Sequence, residues 1–515
     1  MRLTLKFLLA TLAVFVALLL LHAPLLRLPY FWDEAGYYIP AALDFYRGWL
    51  LIPKTTLPVG HTPLVMIYLG CAWRLFGYSA WVTRGAMTLV AAATVTSLYK
   101  LGRRVGNIEI AAWSALLLAL SPLFFAQSTL AHLDLAAALL TTLAVLYLLG
   151  DHPWLFALAA SLAVLSKETA VVLLPVVWLY AWGRKGANGT GWRTPLGTWA
   201  ALFLPLLPLA AWAFHYHHVT GYWTGNREYL SYNLYSTLSP ARVFFSLLRR
   251  AYELFFGGFQ WLLSACALVG AWWGRKSEIR NSKFENRNSG QAANFEFRFS
   301  SFAFLTAGLV AVYLLLLSLV GGAILPRYLL PVMPLFYLAA VALVMRLPRV
   351  TARLLLAAVA ACFVWAWFIN PPYPFPWEDN LAYADFIRLH QQAAHILETQ
   401  PGQPRILTAW PATDEINKPS LGYVRKPLRV VPVQGFAPQN FVNAPPESFD
   451  LLYLYSRRWE PPGNWMARSP GWLRLQGRYF DYHPQVAADV LVAQYHLRLL
   501  AEIEHRGQWV RIYSH

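Results

Sequence analysis

The sequence predicts an α-helical polytopic membrane protein with about eleven transmembrane helices, followed by a small C-terminal α/β domain outside the cytoplasm. Three observations lead to this class. Only 13% of the 515 residues are charged and 57% are hydrophobic, whereas about a quarter of a soluble chain is charged. The apolar residues form runs long enough to cross a bilayer. After about residue 370 the runs stop, and mixed polar and apolar sequence follows.

The candidate spans are apolar segments bounded by polar or basic residues. The first follows Arg2 and Lys6 and lacks a small-residue cleavage site, so we interpret it as an uncleaved span rather than a signal peptide. The eleven segments are 7–26, 81–102, 109–126, 133–150, 154–166, 169–183, 195–216, 251–273, 301–320, 328–346 and 353–370.

The orientation depends on whether 154–183 forms two spans or one long tilted helix. With two spans, the main basic clusters fall on the cytoplasmic side, as the positive-inside rule expects. Merging the two spans would put the last three clusters outside, so we predict eleven. The clusters are Arg2/Lys6, Arg103/Arg104, Arg184/Lys185, Arg275/Lys276 and Arg346/Arg349/Arg353.

Some basic residues break this pattern and lie on or near the outer side, namely Arg242, Arg249, Arg250 and Arg327. We interpret most of them as anchors to lipid headgroups, with an anionic ligand bound outside as the alternative. The net charge of +17 therefore indicates anionic lipid and membrane orientation rather than nucleic acid.

This topology divides the chain into a transmembrane catalytic domain (1–370) and a soluble extracytoplasmic α/β domain (371–515). The first outer loop, 27–80, contains a short apolar segment at 62–77 that predicts an interfacial helix. The Asn- and Ser-rich stretch 274–299 predicts a flexible cytoplasmic loop.

In the C-terminal domain a Pro-rich linker, PPYPFPWE, leads to a predicted helix over 379–399. Short β-rich runs then predict strands at 405–410, 428–433 and 450–456, and a final hairpin that turns around Arg506-Gly507.

An acidic pair, Asp33 and Glu34, follows the first span among several aromatic residues. A carboxylate near the hydrocarbon edge is costly unless it is paired or used. Either Asp33 caps the helix that follows, with Glu34 near its positive end, or the pair belongs to a functional site.

Further ionisable groups recur at the same outer edge. Asp134 begins the fourth span, Lys167 and Glu168 separate the fifth and sixth, and Arg327 with Tyr328 precedes the tenth. Lys167 and Glu168 could pair with each other, and Arg327 could snorkel to the interface. Taken together, these groups at one depth predict a shared site. Carboxylates can take a proton from an acceptor, and Lys or Arg can stabilise a departing lipid phosphate.

The motifs and their order resemble the GT-C membrane glycosyltransferases, in particular protein O-mannosyltransferases and bacterial aminoarabinose–lipid A transferases. The resemblance rests on the acidic pair, the HTPLVMIYLGCAWRLFGYSAWVTRGAMTLVAAATVTSLYKLGRRV block (61–105), SPLFFAQSTLAHLD (121–134), LSKETAVVLLP (165–175) and LPRYLLPVMP (325–334). It implies a helical GT-C fold and a polyprenyl-phosphate monosaccharide as donor, with a protein, lipid or glycan as acceptor.

The resemblance also implies roles for individual residues. Asp33 and Glu34 would be catalytic. The groups that bind substrate would be His61, Asp134, Lys167, Glu168, Arg327 and Tyr328. Relatives commonly have a His-Pro pair where Thr62 follows His61 here. Family members differ in their use of a divalent ion, and no strong metal-ligand spacing is present. No cofactor is therefore assigned, and metal use stays open.

Two other classes of function compete with the enzyme. A transporter or flippase for lipid-linked sugars would need ionisable groups near the bilayer midplane and usually an internal repeat, which the sequence lacks. An envelope-glycan-binding assembly protein would use the C-terminal domain to recognise its partner. The predicted location is the cell (inner) membrane, with the site and the C-terminal domain on the extracytoplasmic side.

Overall fold

Helices make up most of the chain before residue 370. The computed structural model describes residues 2–183, 195–281, 290–442, 444–480 and 482–515. In this first part the α-helices are α1 (Arg2–Leu21), α2 (Ile39–Gly48), α3 (Leu64–Phe76), α4 (Ala80–Val105), α5 (Ile108–Leu120), α6 (Pro122–Gln127), α7 (Leu133–Leu148), α8 (Pro153–Ser166), α9 (Leu173–Gly183), α10 (Leu196–Phe203), α11 (Leu206–Thr220), α12 (Arg227–Leu230), α13 (Pro240–Phe255), α14 (Gln260–Asn281), α15 (Gly290–Leu319), α16 (Met333–Val344) and α17 (Arg349–Ala366).

Each of the eleven predicted spans overlaps at least one of these helices. By length and composition, three described helices could cross a membrane, or four if the bent pair around Gly257 is one span. Seven shorter apolar helices accompany them. The structure thus supports a polytopic membrane protein, while the number eleven stays a prediction. The predicted helix at 62–77 is present as α3. The basic pair at 184–185 lies outside the described residues.

The segment 154–183 is broken, so the interpretation as one long helix is wrong. Helix α8 ends at Ser166, and Lys167 has an extended backbone with φ −154° and ψ 125°. A 3₁₀ turn over Glu168–Val172 then leads into α9. The break leaves the side chains of Lys167 and Glu168 on different sides of the chain, because successive residues of an extended backbone alternate in direction.

The prediction of one flexible loop over 274–299 is wrong at both ends. Helix α14 continues to Asn281, and α15 begins at Gly290. The residues between them, 282–289, lie outside the described part of the chain.

The C-terminal domain is built around a five-stranded sheet with the order β2-β1-β3-β5-β4. Strand β1 pairs in parallel with β2 and β3, whereas β5 pairs antiparallel with β3 and β4. The predicted strands and the predicted helix are confirmed. The elements are α18 (Ala382–Glu398), β1 (Arg405–Ala409), α19 (Ala412–Asn417), β2 (Arg429–Val433), β3 (Leu451–Tyr455), α20 (Trp465–Arg468), α21 (Pro470–Phe480), α22 (Ala488–Tyr495), β4 (Arg498–His505) and β5 (Gln508–Ser514).

The C-terminal domain packs directly on the start of the segment between α1 and α3, the predicted first outer loop. The Tyr423 hydroxyl donates to the Tyr30 carbonyl at 2.9 Å. The rings of Trp32 and Trp410 meet edge to face with centroids 5.4 Å apart. A Cβ atom at Gly36 would lie 2.5 Å from Nε1 of Trp410, so only glycine fits against this indole. The loop that carries the acidic pair is therefore held by the C-terminal domain.

Candidate active site at the outer loops

Asp33 lies at the start of a short π-helical turn over Glu34–Tyr38, which leads into α2. Its side chain makes no capping hydrogen bond to that turn. The carboxylate instead accepts from Nη2 of Arg327. The interpretation of Asp33 as a simple helix cap is therefore wrong. Its side chain is 27% exposed, so a substrate can reach it.

Arg327 is the centre of the cluster. It lies in the 3₁₀ turn Pro326–Leu329, just before α16, and its side chain is only 1% exposed. Besides Asp33 it pairs with Glu378 through Nη1, and its Nε lies 3.5 Å from Oδ2 of Asp134. A buried guanidinium needs such partners, because a desolvated and unpaired charge is costly. Arg327 is thus a buried side chain surrounded by three carboxylates, and it does not snorkel to the interface.

Lys167 supplies a second cation to the cluster. Its ammonium donates to Oδ1 of Asp134, which is fully buried at the N-terminus of α7. It also lies 4.1 Å from the ring centroid of Tyr328, a favourable cation–π distance. Five of the predicted site residues therefore come together here, namely Asp33, Asp134, Lys167, Arg327 and Tyr328.

Glu168 turns away from Lys167 and pairs with His61. Nδ1 of His61 lies 3.1 Å from Oε1 of Glu168, and the two side chains are 15% and 35% exposed. The alternative that Lys167 and Glu168 neutralise each other is therefore wrong. Three tyrosines surround the imidazole with ring centroids 5.6 to 6.0 Å away, and they are Tyr37, Tyr38 and Tyr229.

Glu34 has a different environment from Asp33 although the two are adjacent. Its side chain is 0% exposed and pairs with Arg84 of α4 at 2.5 Å. The same carboxylate accepts from the amides of Phe31 and Ala131 at 2.8 and 2.6 Å. All its contacts are internal, so the structure does not bring Glu34 to the exposed cluster. Its geometry fits a role in holding the loop.

Two of the four arginines predicted to lie on or near the outer side are not headgroup anchors. Arg242 and Arg250 are 2% and 0% exposed. They donate to backbone carbonyls of the turn before Arg327, for example from Arg242 to Gly321 at 2.8 Å and from Arg250 to Leu325 at 3.4 Å. They shape the segment that presents Arg327. Arg249, in contrast, is partly exposed and pairs with Glu253 one turn along α13.

Sequence reasoning missed Glu378 and Arg84. Glu378 lies in the segment interpreted as a Pro-rich linker, yet it is 2% exposed and pairs with Arg327. Burial raises the pKa of its carboxyl to about 7, although the charge of Arg327 opposes this shift. Arg84 could have been found, because an arginine inside an apolar run implies a buried partner. Glu378 offers no such local signal.

The side chains of the site that could ligate a metal ion are not arranged as a metal centre. Among the described residues, no group of three or more His, Cys, Asp or Glu side chains converges in a way that could hold an ion. The three carboxylates around Arg327 each face a cationic side chain instead. We therefore assign no residue to a metal.

Comparisons with known proteins agree with this fold. Residues 60–215 match the family model described as dolichyl-phosphate-mannose-protein mannosyltransferase. No curated protein sequence gives a match. The structure of ArnT from Cupriavidus metallidurans in the apo state is similar over 99% of this chain and 97% of that chain, with 14% identity and a TM-score of 0.54.

A second ArnT structure from the same organism, bound to undecaprenyl phosphate, is similar over the same shares of both chains, with 13% identity and a TM-score of 0.55. The matched segment contains His61, Asp134, Lys167 and Glu168. The chain thus has the fold of ArnT, and residues 60–215 carry the sequence pattern of the dolichyl-phosphate-mannose-protein mannosyltransferases, which confirms the predicted resemblance to membrane glycosyltransferases.

Proposed function

We propose that this protein is an inverting membrane glycosyltransferase that moves a monosaccharide from a polyprenyl-phosphate donor to an acceptor outside the cytoplasm. One observation carries the proposal. Asp33 is a solvent-accessible carboxylate bound to the buried Arg327, and Lys167 lies beside the same cluster through Asp134. Glycosyl transfer with a phosphate leaving group needs a base for the acceptor and cations that stabilise the phosphate, and this site places one base and two cations together.

Lys167 and Arg327 would hold the donor phosphate. Both cations are bound to carboxylates, and a phosphate entering the cluster would take over part of these contacts. Charge-assisted hydrogen bonds from ammonium and guanidinium groups stabilise the negative charge that develops on the leaving phosphate. The undecaprenyl phosphate bound by ArnT, which shares this fold, supports a lipid phosphate as the leaving group.

Asp33 would act as the general base. The acceptor oxygen or nitrogen attacks the anomeric carbon while its proton passes to the Asp33 carboxylate. The bond between the anomeric carbon and the phosphate oxygen breaks, and polyprenyl phosphate leaves with the electron pair. A single displacement of this kind inverts the anomeric centre. Asp33 is preferred to Glu34 because only Asp33 is exposed in the cluster.

His61 and Glu168 would contact the sugar or the acceptor. Their pair is more exposed than the Lys167–Asp134 pair and is ringed by tyrosines. Carboxylates, imidazoles and phenols can all hydrogen-bond sugar hydroxyls. The acceptor class (protein, lipid or glycan) stays open within the proposal.

The topology belongs to the proposal as well, with eleven spans, a cell-membrane location and the site outside. The ring of Tyr180 lies near that of Phe304, and a Cβ at Gly308 would contact Val176. Helix α9 therefore runs antiparallel to α15, away from Lys167. The extended backbone at Lys167 interrupts the helix between α8 and α9, and this break supports separate fifth and sixth spans.

The test uses purified protein in lipid with a panel of labelled polyprenyl-phosphate monosaccharides and cell-envelope extract as acceptor. We expect wild type to release polyprenyl phosphate and Asp33→Asn to lose about 10²-fold or more of that rate, as for the loss of a general base. The matched control is Asp489→Asn, at an exposed position in α22. Absence of turnover with every donor by the folded wild type would reject the proposal.

A further inference from the structure

Glu378 lies at the junction between the last membrane helix and the C-terminal domain. It occupies the 3₁₀ turn Trp377–Asp379, between α17 and α18. On one side Nε1 of Trp377, a 1% exposed side chain, donates to the carbonyl of Ser456 just after β3 at 3.2 Å. On the other side the amide of Leu381 donates to the carbonyl of Trp367 beyond α17 at 3.2 Å.

A third contact fixes the backbone of Glu378 itself. Nε2 of Gln127, at the end of α6, donates to the Glu378 carbonyl at 3.2 Å. Gln127 is fully buried and also pairs with His132. The backbone position of Glu378 is therefore fixed by three parts of the protein, namely the C-terminal sheet, the end of α17 and α6.

The carboxylate of Glu378 points into the cluster around Arg327. Its Oε2 accepts from Nη1 of Arg327, and the side chain is 3% exposed. A guanidinium is a planar fork of five N–H donors, so fixing one nitrogen fixes the directions of the others. With Nη1 held by Glu378, Nη2 is directed at Asp33 and Nε lies beside Asp134.

We propose that Glu378 is a positioning residue that orients the Arg327 guanidinium toward Asp33 and the donor phosphate, and that the C-terminal domain thereby completes the site. The inference rests on the proposed function for its catalytic consequence. Without Glu378, Arg327 could rotate to form a bidentate pair with Asp33, which would occupy the base.

The proposal implies a dependence on pH. Burial raises the pKa of Glu378 to about 7, and only the ionised carboxylate holds Arg327 as a charge pair. We therefore expect kcat to rise with pH through about 7. The charged groups around Glu378 and its turn are Arg327, Asp33, Asp134, Asp379, Arg249 and Glu253.

The decisive variant is Glu378→Gln, which keeps the size and removes the charge. We expect kcat to fall about tenfold while the KM for the donor changes less than about twofold, because Lys167 still binds the donor phosphate and only the orientation of Arg327 is lost. The rise in kcat through pH about 7 should also disappear. Glu447→Gln, at an exposed position of the same domain, is the control. An unchanged kcat and pH profile in Glu378→Gln would overturn the proposal.

A second measurement does not depend on turnover. The double-mutant cycle of Glu378→Gln and Arg327→Gln, read out as Tm in lipid, tests the contact directly. We expect the double variant to lose less Tm than the sum of the two single losses, and additive losses would count against the contact. If wild type transfers no sugar, the proposed function fails, while this cycle still decides whether Glu378 holds Arg327.

Discussion

Arg327 and Asp33 form an ion pair between residues 294 positions apart in the chain. The pair links the turn before α16 to the segment between α1 and α2, and its two members differ sharply in exposure. Arg327 is buried and Asp33 is accessible. The pair therefore marks the boundary between the interior of the protein and the space a substrate would enter. The following predictions concern the groups on either side of it.

Removal of Lys167 should weaken donor binding. A hydrogen bond to a charged group contributes about 1.5–3 kcal/mol, so Lys167→Ala should raise the donor KM by about 10- to 100-fold. Lys426→Ala, at an exposed position in the C-terminal domain, should leave KM unchanged. Initial rates over a range of donor concentrations provide the measurement. An unaltered KM in Lys167→Ala would remove this residue from the phosphate site.

Glu34→Gln should impair folding rather than chemistry. Removing one partner of a buried ion pair costs about 3–5 kcal/mol, because the other charge is left uncompensated. Here that charge is the 1% exposed Arg84. Thermal unfolding in lipid should show a lower Tm, with activity per folded molecule close to that of wild type. A large loss of kcat at unchanged Tm would instead restore Glu34 to the chemistry.

Substitution of His61 or Glu168 should weaken binding of the sugar or the acceptor and leave binding of the donor phosphate unchanged. His61→Ala and Glu168→Gln should each raise the acceptor concentration needed for half-maximal rate. Because the two side chains contact each other at 3.1 Å, the double variant should be less impaired than the sum of the single effects. Strict additivity of the two effects would show that they act independently.

Gly36→Ala should weaken the packing of the C-terminal domain on the loop at residues 30–36. A Cβ at this position would approach the Trp410 ring to 2.5 Å, and overpacking of this kind costs about 1–3 kcal/mol. Gly85→Ala in α4 is the matched control, because no atom lies within 4 Å of its added Cβ. Limited proteolysis between residues 371 and 381 should be faster in Gly36→Ala than in the control. Equal cleavage rates would show that the loop adapts freely.

The helices and the strands could be predicted from the sequence because their signals are local. Apolar runs and alternating β-branched residues lie within ten to twenty positions of each other. Side-chain partners could not be predicted in this way. Lys167 and Glu168 are neighbours in the sequence, yet their actual partners lie 33 and 107 positions away. The extended backbone at Lys167 directs the two side chains apart.

The same limit explains the acidic pair. Adjacent residues on a helical turn project in clearly different directions, so Asp33 and Glu34 contact different arginines. The order of the motifs indicated which positions belong to the site, and the fold was needed to separate the exposed carboxylate from the buried one. Glu378 entered the site only through the packing of the C-terminal domain on the membrane helices.

The packing of the C-terminal domain on residues 30–36 also bears on how such proteins can be recombined. Tyr30 and Tyr423 are 393 positions apart and share one hydrogen bond, and Gly36 fits against Trp410. A chimera that exchanged only the C-terminal domain would pack the surface of a different domain against a loop that fits the original one. The loop at residues 30–36 and the C-terminal domain are therefore expected to diversify together and to be inherited as one unit.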